Sequence, residues 1–458
     1  MNDQDPHFSC PDEAVSLARL VSDHGGRALL VGGWVRDALL GLASPDLDIE
    51  VFGLDPAALE ALLSGSYQLD HTGRAFGILK LRGVDIDVSV PRRETKTGSG
   101  HRGFLVDADP DMTFQQAARR RDFTFNAMGY DPLTGELLDP FGGRRDLANG
   151  LLRHTSEKFS EDPLRVLRGM QLCARFELKP VPATVDLCRA MDLEGLAPER
   201  LFPEWRKMIL LGSRPSAGLD FLRRTGWLRF FPELEALIEC PQDPRWHPEG
   251  DVWTHVLHCM DAFAAERSGD PHEDLIVGLA VLCHDLGKPA TTTIEEDAVR
   301  SRGHAEAGEE PTRRFLARLK VSAELVEQVV PLVREHAHVG ELFRARSSDA
   351  AVRRLAGRVG RIDRLVRVVR ADYLGRPPLD SREVPAAAWL LERAQALAVD
   401  RSGPVPLIQG RHLVALGLSP GPRFKPLLDD CFQAQLEGEF MDVEGGIDYL
   451  KSLLDAMN

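Results

Sequence analysis

The segment Gly32-Gly33-Trp34-Val35-Arg36-Asp37, followed after a short gap by Asp46-Leu47-Asp48, constrains this chain more than any other stretch. An apolar run from Ala28 to Val31 leads into the glycine pair, and Val35 to Leu40 reads as the start of a helix. A strand, a turn free of side chains and a helix N-terminus form a place where a phosphate chain can lie against backbone N–H groups. Asp46 and Asp48 open the strand-like run Leu47 to Phe52, and residues two apart on a strand share a face. Two carboxylates on one rigid face beside a phosphate cradle suit Mg²⁺, which is commonly held by one or two carboxylates plus substrate phosphates. A glycine pair alone is usually a turn, and Asp-x-Asp alone is usually a solvated strand end. In this order the two imply nucleotidyl transfer.

The 458 residues are enough for about two to four domains, and the 43% hydrophobic content is ample for packed cores. No apolar run reaches membrane-spanning length, and the polar start lacks the layout of a signal peptide. Seven cysteines without a C-x-x-C pair suit reduced thiols, so the expected compartment is the cytoplasm. No protein partner is implied. The net charge of −14 argues against a non-specific nucleic-acid binder. Yet Phe343 to Arg376 holds ten arginines against three aspartates, either the outer face of amphipathic helices or a phosphate-tracking surface.

Residues 10–145 alternate short strands and helices. Strands are predicted at Ala28–Val31, Leu47–Phe52, Phe76–Leu81 and Asp85–Val90, with a helix at Pro56–Leu63. The stretch between Pro91 and Thr113 is long for a connection and predicts a mobile functional loop. After Asp146 the strand signal nearly vanishes. Helical periodicity runs through Asp162–Phe176, Pro182–Met191, Glu199–Leu211 and Ala217–Arg224, within a segment 146–240. A second helical block, 241–380, carries most of the histidines, and 381–458 forms a last helical segment. The expected fold class is thus multidomain α+β, with a small mixed sheet followed by all-helical parts.

Further constellations refine the chemistry. Asp85 and Asp87 share a strand face in Val84 to Val90, and Asp87 is the preferred third carboxylate, able to accept the attacking hydroxyl's proton. In Arg120-Arg121-Asp122-Phe123-Thr124-Phe125-Asn126, arginine offers a fork to phosphate, while Asp or Asn can hold ribose hydroxyls. In Glu161-Asp162-Pro163-Leu164-Arg165, Pro163 marks a helix start with Asp162 as its cap, and Asp162 and Arg165 are three apart. A carboxylate that accepts from an amino group and a guanidinium that donates to ring nitrogen and carbonyl can together read the edge of C or A. His255, His284-Asp285, His304, His336 and Asp372 form a separate set, with His284-Asp285 closing an apolar helix before Gly287-Lys288.

GGWVRDALLG…DLDIEVFG, RRDFTFNAM and EDPLRVLRGMQLCARF resemble the motifs of the class II tRNA nucleotidyltransferase and bacterial poly(A) polymerase family. The histidine set resembles the HD metal-dependent phosphohydrolases. The resemblance spans nearly the whole chain. It implies a polymerase-β-like head (10–145), a helical neck for base selection and RNA binding (146–240), an HD domain (241–380) and a helical tail (381–458). It further implies Mg²⁺ on Asp46 and Asp48, with Asp87 completing the site, and triphosphate held by Gly32, Gly33 and Arg36. Arg121, Asp122 and Asn126 would place the sugar. Asp162 and Arg165, with Arg168 one turn on, would select CTP or ATP for addition of CCA to tRNA 3′ ends. His255, His284, Asp285, His304, His336 and Asp372 would bind Mn, Ni, Co, Fe or Mg and hydrolyse phosphoesters such as 2′,3′-cyclic phosphates. Family members that add only CC have a shortened loop where this chain has Glu94–Met112, which favours a product that includes A. Addition of A alone or CC alone, a poly(A) polymerase, a chain that is chiefly a phosphohydrolase, and an RNA-binding protein with an inactive head are the competing readings.

Overall fold

The computed structural model describes residues 8–44, 46–70, 78–96, 104–377 and 382–457. They fall into two compact units, Met1–Met208 with Ala217–Phe230, and Ile209–Ser216 with Phe231–Asn458.

The first unit is built on a sheet. Its strands are β1 (Arg27–Val31), β2 (Leu47–Phe52), β3 (Leu69–Asp70), β4 (Ile78–Leu81) and β5 (Ile86–Ser89). A hairpin of β6 (Arg92–Lys96) and β7 (Phe104–Ala108) precedes β8 (Gly129–Tyr130) and β9 (Leu137–Leu138). The sheet order is β3-β4-β5-β2-β1-β8-β9. β1 and β2 are antiparallel with Val31 opposite Asp48, while β2 and β5 are parallel with Asp48 opposite Asp87. β1 is buried from Ala28 to Val31, and Leu29 and Val31 pack with Phe114, Ala118 and Ala127 beneath the sheet. The helix Pro56–Ser64 starts as its sequence directs: Asp55 accepts hydrogen bonds from the N–H groups of Ala57 and Ala58, and Pro56 takes the first helical position.

The structure refines three expectations. Along the Pro91–Thr113 stretch, read as a functional loop, β6 and β7 pair as a hairpin; its tip, 97–103, lies outside the described residues, as do Phe76 and Gly77 of the expected strand Phe76–Leu81. The assigned helix begins at Leu164, but the start has the expected form: Asp162 is extended and its Oδ1 accepts from the Leu164 N–H, while Pro163 already has helical dihedrals. The strand signal after Asp146 is not wholly absent: Leu151–Leu152 pairs with Lys179–Pro180, and Thr292–Ile294 with Val299–Ser301. Pro203 sits in the first turn of the helix Leu201–Leu211, where its missing N–H has no intrahelical partner to lose.

The second unit is helical. Ile362–Leu374 packs on both Val252–Ala265 and Pro271–Cys283, and Pro271–Cys283 also packs on Ala323–Glu335. Within this unit the arginine-rich run pairs with acids of neighbouring helices and, at Arg376, with one on the run's own helix. Arg358 binds Glu335, Arg364 binds Glu273, Arg367 binds Asp274, Arg370 binds Glu266 and Arg376 binds Asp372. Those arginines clamp the bundle. The last helices, Phe424–Glu437 and Val443–Met457, close over Ile408, Leu413, Cys431, Phe440 and Leu450. Among the described residues no helix is long and apolar enough to cross a membrane.

Candidate active site and candidate metal centre

The sheet register assembles the first site. Antiparallel pairing puts Asp48 beside the end of β1, where the chain turns into the helix Gly33–Leu39, and parallel pairing sets Asp87 against it from the other side. Gly32 has φ +73°, open to glycine and strained for other residues. A Cβ there would come within 3.1 Å of Arg121 Nη1 and 3.6 Å of Asp48 Oδ2. The bare backbone therefore separates a guanidinium from a carboxylate, which is the arrangement a bound phosphate and cation would use. The helix behind it has only two turns, so Arg121 and the glycine, more than a helix dipole, make the cradle.

Electrostatics fit a cation here. Protein packed around the Asp48 carboxyl raises its pKa; Arg121 opposes this, and the like charges of Asp87 and Asp46 add to it. A divalent ion would relieve that crowding, so these carboxylates suit a metal. Both Asp87 oxygens accept from Lys80 Nζ, at 2.9 and 2.7 Å. Asp85, the competing third carboxylate, is not in the register with Asp48. Glu50, two residues beyond Asp48, is buried and pairs with Arg121 at 3.1 Å and Arg120 at 3.7 Å. It holds Arg121 over the glycine.

The other candidate nucleotide residues lie in one buried chain of bonds. Arg168 Nε donates to Asp122 Oδ2 (2.6 Å), Asn126 Nδ2 donates to Asp122 Oδ1 (3.0 Å), and Arg36 Nη1 donates to Asn126 Oδ1 (3.0 Å). Arg36 also binds Asp37 and lies over the Phe176 ring, so its guanidinium is already engaged by the protein. Burial alone would raise the Asp122 carboxyl, but Arg168, Asn126 and the Phe123 N–H outweigh it and hold it at about 2, below its ordinary 3.8. A carboxylate with a lowered folded-state pKa stabilises the fold above its unfolded pKa, and that contribution disappears as pH falls through the folded value. Asp122→Asn is therefore expected to cost about 2 kcal/mol at neutral pH. In denaturant melts the difference from the parent should shrink below about pH 4 and be gone near about pH 2. A difference that does not change with pH would show that charge is not what Asp122 contributes.

Asp162 and Arg165 are both half-buried at the start of the helix Leu164–Phe176. They do not bond to each other among the described contacts. Asp162 Oδ2 accepts from Arg200 Nη2 at 2.9 Å, whereas Arg165 donates to the carbonyls of Lys158 and Arg120, both at 2.6 Å. Arg200 was missed by sequence reasoning; its position in the Leu196–Glu204 stretch was the available signal.

The second site is a buried cluster. His284, His304 and His336 each place Nδ1 on a backbone carbonyl three residues back, of Val281 (2.7 Å), Ser301 (2.8 Å) and Val333 (2.6 Å). Those bonds set the tautomer and leave each Nε2 lone pair free to point inward. The Nε2 atoms of His304 and His336 are 3.3 Å apart, and His304 Nε2 lies 3.5 Å from Asp285 Oδ1. His255 Nε2 is 3.1 Å from Asp372 Oδ1 and 3.7 Å from Asp285 Oδ2. All six residues expected from sequence thus meet. Burial, then His284 and His304, push the His336 imidazole down to about 3, so it stays neutral and able to ligate. Within the cluster, His284 Nε2 and Asp285 Oδ2 are buried without a well-formed hydrogen bond, 3.2 Å from each other and, for the latter, 2.8 Å from Lys288 Nζ. Buried polar atoms left unsatisfied are rare, and these aim at the space a metal ion would fill. The donor set fits a metal.

Sequence reasoning also missed His247, Glu249 and Cys259. Glu249 Oε1 accepts from His247 Nδ1 (2.9 Å) and His255 Nδ1 (2.8 Å), which turns His255 Nε2 toward the cluster. Those two hydrogen bonds hold the Glu249 carboxylate at about 2 against the burial that would raise it. His338 pairs with Glu306 and Glu335.

Comparison with known proteins finds a matching family domain over each of the two regions. Residues 28–153 match the poly A polymerase head domain, residues 252–375 the HD domain, and residues 183–238 the segment described as "Probable RNA and SrmB- binding site of polymerase A". The multifunctional CCA protein of Xanthomonas campestris pv. campestris (strain B100) is 38% identical over 408 residues, covering 86% of this chain and 94% of that protein. In fold, the chain is similar to the Bacillus stearothermophilus CCA-adding enzyme in complex with CTP, with TM-score 0.65 and 21% identity over 97% of this chain and 98% of that one. The Thermotoga maritima CCA-adding enzyme complexed with tRNA gives TM-score 0.60 and 19% identity over 97% and 96%. With the carboxylates, the arginine-backed glycine and the histidine cluster where these relatives' domains fall, the chain belongs to the multifunctional CCA protein family, the tRNA nucleotidyltransferase and poly(A) polymerase family that carries an HD domain.

Proposed function

We propose that this enzyme adds C and A from CTP and ATP to tRNA 3′ ends without a nucleic-acid template, and that its HD cluster hydrolyses phosphoesters such as 2′,3′-cyclic phosphates. The observation that carries the first activity is the register placing Asp48 between the glycine turn and Asp87, under Arg121. In this reading Asp46, Asp48 and Asp87 hold Mg²⁺, which supplies charge stabilisation to the attacking and leaving oxygens when bound. Arg121 grips the triphosphate, steadied by Glu50, and Gly32 and Gly33 leave room for it. The buried chain Arg168–Asp122–Asn126–Arg36 forms a rigid floor beneath the sugar. Asp162 accepts from the base's amino group and Arg165 donates to its ring edge. The histidine cluster holds a divalent ion, Mn, Ni, Co, Fe or Mg. We assign catalysis to 10–145, base selection and RNA binding to 146–240, hydrolysis to 241–380 and a helical tail to 381–458, in a cytoplasmic protein.

Asp162→Ala is expected to blur the choice between CTP or ATP and other nucleotides by about tenfold or more, the scale of one lost charge-assisted hydrogen bond, while triphosphate binding changes little. Competition assays with all four nucleotides check this, and an unaltered preference would overturn the base-reading role. The product is tested with tRNAs ending before, within and after CC, each given CTP, ATP or both. Completion of CCA on every shortened end is expected. Extension of CC-ended tRNA alone would mean A addition only, and long A tracts would mean a poly(A) polymerase.

A further inference from the structure

Cys259 lies one turn after His255 on the helix Val252–Ala265, so both side chains share a face. Its sulfur is buried 3.3 Å from His255 Nε2, the ring nitrogen that also faces Asp372 Oδ1 at 3.1 Å while Glu249 takes Nδ1. The cysteine therefore stands on the ligand side of the ring. His255, Cys259, His284 and Asp372 each offer one donor atom, and these all lie within 4.8 Å of one another. Bonds of about 2.0 to 2.3 Å to one tetrahedral ion put neighbouring donors roughly 3 to 4 Å apart, so the group needs only a small contraction. Gly375 permits the approach: a Cβ there would collide with the Cys259 sulfur and backbone, and its absence lets the helix end that carries Asp372 come against the cysteine. Independently, His284 Nε2 is buried, lacks a hydrogen-bond partner and belongs to the same group. Cys173, Cys188 and Cys283 are equally buried yet stand in no such group among the described residues.

The geometry points to Cys259 as a sulfur donor to the ion of the HD cluster, an inference that rests on that cluster being a metal site. Ligation transfers the S–H proton to solvent and leaves a thiolate lone pair on the ion, with no change in oxidation state. With Cys259 added, the donors are softer than histidine and carboxylate alone. They favour Co²⁺, Zn²⁺, Ni²⁺ or Fe²⁺ over Mg²⁺ and Mn²⁺, whose partners are hard oxygens.

The test titrates the metal-free full-length protein with CoCl₂ and records its absorption. The parent is expected to show the visible ligand-field bands together with a near-ultraviolet sulfur-to-cobalt charge-transfer band, neither bleached by excess MgCl₂. Cys259→Ser, which keeps the side chain's shape, and Cys259→Ala should keep the visible bands and lose the charge-transfer band. Cobalt binding should weaken by more than the roughly tenfold typical of an outer-shell change. Circular dichroism establishes that both variants are folded. Visible bands without charge transfer in the parent, or a charge-transfer band that survives in both variants, would overturn Cys259 ligation and leave the metal site standing. Bleaching by Mg²⁺ would overturn the softer-ion preference. No cobalt absorption at all would overturn the metal reading and this inference with it.

Discussion

Replacement of Asp46 and Asp48 together by alanine is expected to abolish nucleotide incorporation into tRNA, a fall of about 10³-fold or more, while hydrolysis by the HD cluster continues. The size follows from what the carboxylates do. A cation that stabilises charge on the reacting oxygens is worth several kcal/mol of barrier, and each 1.4 kcal/mol is about tenfold in rate. The fold should survive the change. Asp46 is exposed, and Asp48 sits among like charges from Asp87 and Asp46, so its loss relieves repulsion. Hydrolysis should be spared because the histidine cluster belongs to the second compact unit. Labelled CTP and ATP incorporation, measured beside release of phosphate from a 2′,3′-cyclic nucleotide, separates the two effects. Incorporation that persists in the double variant would show that the metal assignment is wrong.

The converse change, His284→Ala with Asp285→Ala, is expected to remove metal-dependent hydrolysis and spare incorporation. His284 Nε2 and Asp285 Oδ2 are buried side by side at the centre of the cluster, 3.2 Å apart, so their removal takes away two adjacent donors. Stability must be measured alongside. Lys288 is itself buried and pairs with Asp285 at 2.8 Å, and stripping one partner from a buried pair costs about 3–5 kcal/mol. Asp285→Asn keeps the shape and a hydrogen-bonding side chain, and so serves as the milder variant. Loss of hydrolysis in a variant that melts near the parent temperature supports a ligand role. Loss of incorporation as well, at unchanged melting temperature, would contradict the separation of the two activities.

Much of the first site was legible because its signals are local. Alternation along Leu47–Phe52 predicted the strand to the residue, and the glycine pair marked a turn that the positive φ of Gly32 now explains. Asp87 was preferred over Asp85, and the parallel pairing of β2 with β5 set it opposite Asp48. Less legible was what the charged side chains would bind. Arg36 looked like a phosphate ligand, but it points inward to Asp37 and Asn126. The arginine run from Phe343 to Arg376 looked equally like a phosphate surface, yet its partners are acids far away in sequence, on helices that periodicity could not place beside it.

By itself the sequence determined which chemistry was present and in what local order: carboxylates two apart on a strand, Asp162 three before Arg165, histidines closing apolar helices. Short-range rules suffice for these, because strand and helix periods set which neighbours share a face. Only the tertiary structure decided which of these groups meet. It joined Asp48 to Asp87, Asp162 to Arg200, Glu50 to Arg121, and His255 to Glu249, Cys259 and Asp372. Most of those contacts bring together residues distant in sequence or on separate elements, and they arise from packing apolar faces that no single segment specifies. The same packing set five arginines of the Phe343–Arg376 run against acids of the bundle.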